Sequence, residues 1–160
     1  MKGSGQDDEG RFDEGVTERG LLAVDLGLRT GVAYFEGGQL RRYRSQNFGS
    51  RDRLRRGAYR EVMALDGLTH LVVEGDPALA RHWRRAAEKR GAKVTRVEPS
   101  VWRAALFGSG ERSGAESKEL AQAFALRVIE EHGAAKPTSL RHDAAEAICI
   151  GYWALTPGLT

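Results

Sequence analysis

The patterned part of the chain begins with an apolar run, Leu21 to Val24, that stops at Asp25. Gly27 to Gly31 then reads as a tight turn and Val32 to Phe35 as a returning strand. Gly37-Gly38 supplies a second turn, and Gln39 to Gln46, alternating Leu40 and Tyr43 with arginines, continues as a partly exposed third strand. From Arg51 the period changes to that of a helix, with Leu54, Ala58, Val62 and Leu65 on one face and Arg53, Arg56 and Arg60 on another, ending near Gly67. His70 to Glu74 is a short apolar run of the kind found in a central strand covered on both faces.

Further along, Pro77 opens a helix over Ala78 to Arg90 that Gly91 closes, and Lys93 to Val97 gives a fifth strand. A short helix is expected from Val101 to Phe107, and a polar loop from Gly108 to Gly114. Ser117 is the expected cap of a helix running to about His132, and a last helix spans Leu140 to about Leu155. Three consecutive strands followed by strand-helix-strand units predict one α/β domain over residues 21–156: a five-stranded mixed sheet, three strands antiparallel and the others parallel, with helices on both faces.

Composition changes this picture in a few places. The 160 residues suit a single domain, and the glycine-rich, charged residues 1–20 lack apolar positions, so a disordered N-terminal tail is expected there. No stretch resembles a membrane span or a signal-peptide core, so the expected location is cytoplasmic. The lone Cys149 sits in an apolar helical pattern and reads as a core residue. The net charge is +3, but the acidic tail leaves the remainder more basic. Arginine far outnumbers lysine, which points to a polyanionic partner or, equally simply, to a GC-rich coding bias.

The chemistry concentrates in acids. Asp25 and Glu74 each stand at the end of an apolar strand, where a carboxylate is costly unless a cation, a donor or a proton compensates it. For Asp25 the plainer alternative is a hydrogen bond to the turn backbone. In the last helix Asp143 and Glu146 are spaced to share a face, and Ala144, Ala145, Ala147 and Gly151 let that helix approach a sheet closely. Four converging carboxylates are hard oxygen ligands suited to Mg²⁺ or Mn²⁺. Asp76 before Pro77 reads either as a helix cap or as a further ligand, and His142 as a surface or capping residue or as an aid to proton transfer.

Asp25 in its Asp-Leu-Gly turn, Glu74 after its strand, and His142-Asp143-Ala144-Ala145-Glu146-Ala147 together resemble the RuvC-type Holliday junction resolvases of the RNase H-like superfamily. The resemblance runs from about Leu21 to Leu155 and implies an RNase H-like fold. It implies a metal-dependent endodeoxyribonuclease that resolves four-way (Holliday) junctions and leaves 5′-phosphates. Asp25, Glu74, Asp143 and Glu146 would be the metal-binding acids for two ions, ~4 Å apart in the general two-metal scheme. Lys118 resembles a family lysine placed near the scissile phosphate. Branched DNA and a homodimer are the implied partners, and the sequence names no helicase partner.

For the DNA surface, Arg81, Arg84, Arg85, Lys89, Arg103, Arg112 and Lys118 are the candidate phosphate contacts, with the run Arg51, Arg53, Arg55 and Arg56 ranked below them. Leu79 and Trp83 are candidates for a dimer interface or, equally simply, for the core. Glu146 stands where the resembling resolvases often have Asp, and Gly75-Asp76-Pro77 lacks their base-unstacking aromatic residue. Competing readings are another RNase H-like nuclease, of the YqgF or terminase type, and a non-catalytic module that binds branched DNA. The turn also looks like the phosphate hairpin of actin-like ATPases, but 160 residues do not supply their second lobe.

Overall fold

The computed structural model describes residues 20–157, so the predicted N-terminal tail lies outside the described residues except for Gly20. Strands β1 (Gly20–Asp25), β2 (Arg29–Glu36) and β3 (Gln39–Asn47) form an antiparallel meander. Helix α1 (Arg51–Met63) leads to β4 (Leu68–Glu74), and α2 (Pro77–Lys89) leads to β5 (Lys93–Arg96). Helices α3 (Pro99–Phe107), α4 (Gly114–Glu131) and α5 (His142–Leu155) complete the fold. The sheet order is β3-β2-β1-β4-β5, with β4 parallel to both β1 and β5. This is the expected five-stranded mixed sheet with helices on both faces.

Strand alternation divides the interior in two. Leu21 and Ala23 of β1 and Val72 of β4 point to one side, where Trp102 of α3, Ala121 and Ile129 of α4, and Ile148 of α5 cover them. Leu22, Val24, Leu71 and Val73 point to the other, where Leu54 and Val62 of α1 and Trp83 of α2 cover them. The same alternation carries Asp25 and Glu74 to the α5 side. Cys149 is buried in that core, which raises its thiol pKa, so it is a packing residue as expected.

Helix ends depart from the expected positions for local reasons. Helix α4 starts at Gly114 because Ser113 caps it, its Oγ accepting from Glu116 N at 3.1 Å, so Ser117 lies inside the helix. Pro99 is the first residue of α3, where a missing N–H costs nothing. Helix α1 ends at Met63, and Leu65 reaches the core from the following turn. Helix α5 begins at His142, with Leu140 buried ahead of it. Asp76 caps α2, its Oδ1 accepting from Ala78 N at 2.7 Å, which accounts for it without a ligand role. Trp83 is fully buried, so it belongs to the core and offers no surface for a dimer, while Leu79 is half-buried beside it. Among the described residues no helix is long and apolar enough to cross a membrane.

Candidate metal centre

Asp25 and Glu74 are direct neighbours in the parallel β1–β4 ladder, and Leu26 N donates to Glu74 O at 2.8 Å as the two strands part. Gly75 makes that parting possible. Its φ is +128°, and a Cβ there would lie 2.7 Å from Leu26 Cβ. On the other flank Asp25 pairs with Gly31 of β2, whose missing side chain admits the first turn of α5. A Cβ on Gly31 would fall 1.9 Å from the backbone oxygen of Asp143. The alanines of α5 finish the approach, and Glu146 is brought over the ends of β1 and β4.

Carboxylate oxygens of Asp25, Glu74 and Glu146 all lie within 4.8 Å of one another. Glu74 and Glu146 are each only 7% exposed. At 4.8 Å, two full negative charges repel by about 3.5 kcal/mol in an effective dielectric of 20. Part of this is met by neighbours: Trp102 Nε1 donates to Glu74 Oε2 at 2.5 Å, and Arg103 Nη2 binds Glu146 Oε1 at 2.9 Å. The Arg103 guanidinium also stands over the Trp102 ring, 5.1 Å from its centroid.

Asp25 receives no such help. Burial first, then the charge of Glu146 and a hydrogen bond shared with it, then Glu74 and Asp143, push its pKa up to about 9. Burial also raises Glu74, with the Trp102 hydrogen bond opposing the rise. Three converging hard oxygen donors, with burial and the neighbouring carboxylates raising the pKa of Asp25, fit a divalent cation of the Mg²⁺ or Mn²⁺ kind.

Asp143 stands apart from this trio. Its Oδ2 accepts from Ser45 Oγ of β3 at 2.7 Å and its Oδ1 from Ala144 N at 3.1 Å, and its side chain is buried beside the Gly31 contact. It therefore ties the start of α5 to β3. His142 is exposed at the first helical position, in keeping with a surface role.

The expected phosphate contacts divide between two regions. Arg103 is drawn into the acid cluster. The Arg112 guanidinium braces its own loop, donating to Phe107 O at 2.6 Å and Gly108 O at 3.0 Å, while Lys118 is exposed within α4. Arg81, Arg84, Arg85 and Lys89 are exposed on α2, which packs on the sheet face opposite the acids. Sequence reasoning misses Trp102 and Ser45, since neither spacing nor residue type marks a donor to a distant carboxylate.

No protein-family model and no curated protein matches the chain. Solved structures do. One is Thermus thermophilus RuvC, at 17% identity and a TM-score of 0.59, covering 88% of this chain and 93% of that one. Another is T. thermophilus RuvC in complex with Holliday junction substrate, at 16% identity and a TM-score of 0.57, covering 84% of this chain and 91% of that one. At these identities the likeness is one of fold, and it makes the fold RNase H-like, as the sequence resemblance implied.

Proposed function

We propose that this chain is a metal-dependent, structure-selective DNA endonuclease that resolves four-way junctions. The observation that carries the reading is the trio Asp25, Glu74 and Glu146, brought together at the ends of two parallel strands in the fold of a protein solved with a Holliday junction substrate. The trio would hold divalent metal, Mg²⁺ or Mn²⁺, with Asp143 the further acid on the same helix. When bound, the metal would supply charge neutralisation at the scissile phosphate and an acidified water as nucleophile, and a 5′-phosphate at the nick is the product that the family resemblance implies.

The chain's own residues prepare that chemistry. Asp25, in register beside Glu74, would be the ligand shared between ions, and it would hold them as the carboxylate, without its proton. Trp102 fixes the carboxylate plane of Glu74, and Arg103 fixes that of Glu146, as outer-shell donors do for ligands elsewhere. Gly31 and the Ser45–Asp143 hydrogen bond set the height of α5 above the sheet. Lys118, Arg112 and Arg103 are the cations on the α3–α4 side for the DNA backbone near the cut. Paired nicks in a symmetric junction require two such sites, so the working form is a homodimer.

Cleavage of an end-labelled mobile four-way junction, beside duplex and flap controls, in Mg²⁺, Mn²⁺ or EDTA, tests the proposal with wild type and Asp25→Asn. Paired nicks confined to the junction, lost in EDTA and in the variant, are expected. Nicks on every substrate would make it a less selective nuclease, and metal-independent binding without cutting would make it a branched-DNA-binding module.

A further inference from the structure

The opposite face of the molecule carries a second feature that the acid centre does not use. Helices α1 and α2 lie side by side over the sheet, and between their outer surfaces runs a groove of about 850 Å³. Its walls are Arg55, Arg56 and Arg60 from α1 and His82, Arg85 and Lys89 from α2, over a floor that includes Met63 and Ala86. No carboxylate of the described residues lines it. Of the acids close by in sequence, Glu61 is buried and paired with Arg42 and Arg44 of β3, Asp52 is bound by Arg55 at 3.0 Å and Arg56 at 3.4 Å, and Glu88 is exposed on α2 beside Lys89. The cationic field is felt locally: burial first, then Arg81, Arg55 and Arg85, hold the His82 pKa below its ordinary value.

Two further observations distinguish this groove from a merely solvated face. Tyr59 is 48% exposed in its wall and presents an aromatic ring, with Lys89 Nζ 5.3 Å from the ring centroid. A smaller groove of about 280 Å³, bounded by Gln46, Asn47 and Arg53, shares Arg56 and Arg60 with the first, so the basic surface continues around α1. That second groove reaches the end of β3, where Asn47 pairs with Arg29 and Phe48 N donates to Leu28 O at 2.8 Å. Leu28, 45% exposed, is in the turn that follows Asp25. The basic surface thus continues around α1 to the end of β3, which is hydrogen-bonded to the turn that follows Asp25.

We propose that the α1–α2 groove binds single-stranded nucleic acid, its arginines on successive phosphates and Tyr59 stacked on a base. A cleft between two helices is too narrow to seat a duplex, whereas alternating guanidinium groups and an exposed ring are the elements that hold a single strand without reading its sequence. On the reading of the chain as a junction nuclease, this strand is an unpaired segment at the branch, led away from the acid centre around the edge of the sheet. The binding itself needs no cleavage.

The test is fluorescence anisotropy of a labelled twelve-nucleotide oligothymidylate with the full-length protein in EDTA, together with NMR titration of the His82 ring. Arg56→Glu, Arg60→Glu and Arg85→Glu are each expected to weaken binding about tenfold and to lower the salt slope by about 0.7 for every phosphate that the variant no longer holds. Tyr59→Ala is expected to weaken it about fivefold or more. Lys136→Glu, outside the groove, is the control and should change little. Bound phosphates should raise the His82 pKa by about half a unit or more, the direction that nearby negative charge imposes. Unaltered affinity in all three reversals, an unmoved His82, or displacement by polyglutamate at matched charge would overturn the proposal. Absence of junction cleavage with the anisotropy and His82 responses intact would overturn only the nuclease reading, and cleavage with both responses absent only this one.

Discussion

Replacing Asp25 by Asn should make the metal-free protein more stable while abolishing its proposed activity, and the size of the gain follows from the site. Asp25 has a folded pKa of about 9 against an ordinary 3.8, so between those values the folded state holds a proton that the unfolded chain releases. Stability from this group is therefore fully present below about pH 4 and declines as pH rises toward about 9, by about 1.4 kcal/mol per pH unit. By pH 7 the accumulated loss is about 4 kcal/mol, and relaxation around neighbouring Glu146 and Glu74 reduces the recoverable part to about 2–4 kcal/mol. An amide fills nearly the same volume without that penalty. For a chain of this size, each kcal/mol moves the melting temperature by about 2–4 °C.

Thermal unfolding of both proteins in EDTA at pH 5, 7 and 8.5 is the assay. Wild type should lose stability steadily across the series, the Asn variant should lose much less, and at pH 7 the variant should melt roughly 5–15 °C higher. Millimolar Mg²⁺ should then raise the wild-type melting point and leave the variant nearly unchanged, since a ligand stabilises in proportion to its affinity for the folded site. A variant that melts at or below wild type at pH 7, together with a wild-type stability flat from pH 5 to 8.5, would refute the claim that the three carboxylates strain the metal-free fold.

Other substitutions separate the supports of the site. Trp102→Phe keeps the ring buried but removes the donor to Glu74; urea denaturation should show a loss of about 1–3 kcal/mol, and metal affinity by calorimetry should change about tenfold. Arg103→Gln removes the donor that orients Glu146, so Mg²⁺ binding by calorimetry should weaken about tenfold and DNA affinity by anisotropy should fall. Gly31→Ala forces a Cβ against the Asp143 backbone; α5 must shift, and a loss of about 1–3 kcal/mol in urea denaturation with weaker Mg²⁺ binding is expected. Ser45→Ala should cost about 1 kcal/mol by the same measurement, by leaving Asp143 short of a donor.

Legibility from sequence follows the range of the interactions involved. The strands and helices show through because Leu21 to Val24, His70 to Glu74 and the Leu54–Ala58–Val62 stripe carry their period locally, and the register of β1 on β4 then has to bring Asp25 beside Glu74. Helix starts are obscured where a nearby cap wins: Ser113, four residues before Ser117, already satisfies free N–H groups of α4. Within the site, the acids are legible because a carboxylate ending an apolar strand needs an explanation. The donors that hold them are not, because Trp102 and Ser45 act across 28 and 98 residues of chain and leave no local mark.

The basic residues show the same limit from the other side. Charge alone groups Arg81, Arg84, Arg85 and Lys89 with Arg103 and Lys118, and the structure separates them by the full thickness of the sheet. The separation follows from topology: α2 is the crossover between parallel strands β4 and β5, so it must cover one face, while α5 carries Glu146 on the other. A nucleic acid held by both sets of cations has to pass around the sheet, and the small groove that joins Arg53, Arg56 and Arg60 to the end of β3 lies beside the turn that follows Asp25. Arg55 and Arg56, the α1 residues ranked lowest by sequence, are more informative than their rank, because they line the groove together with Arg85 and Lys89 of α2.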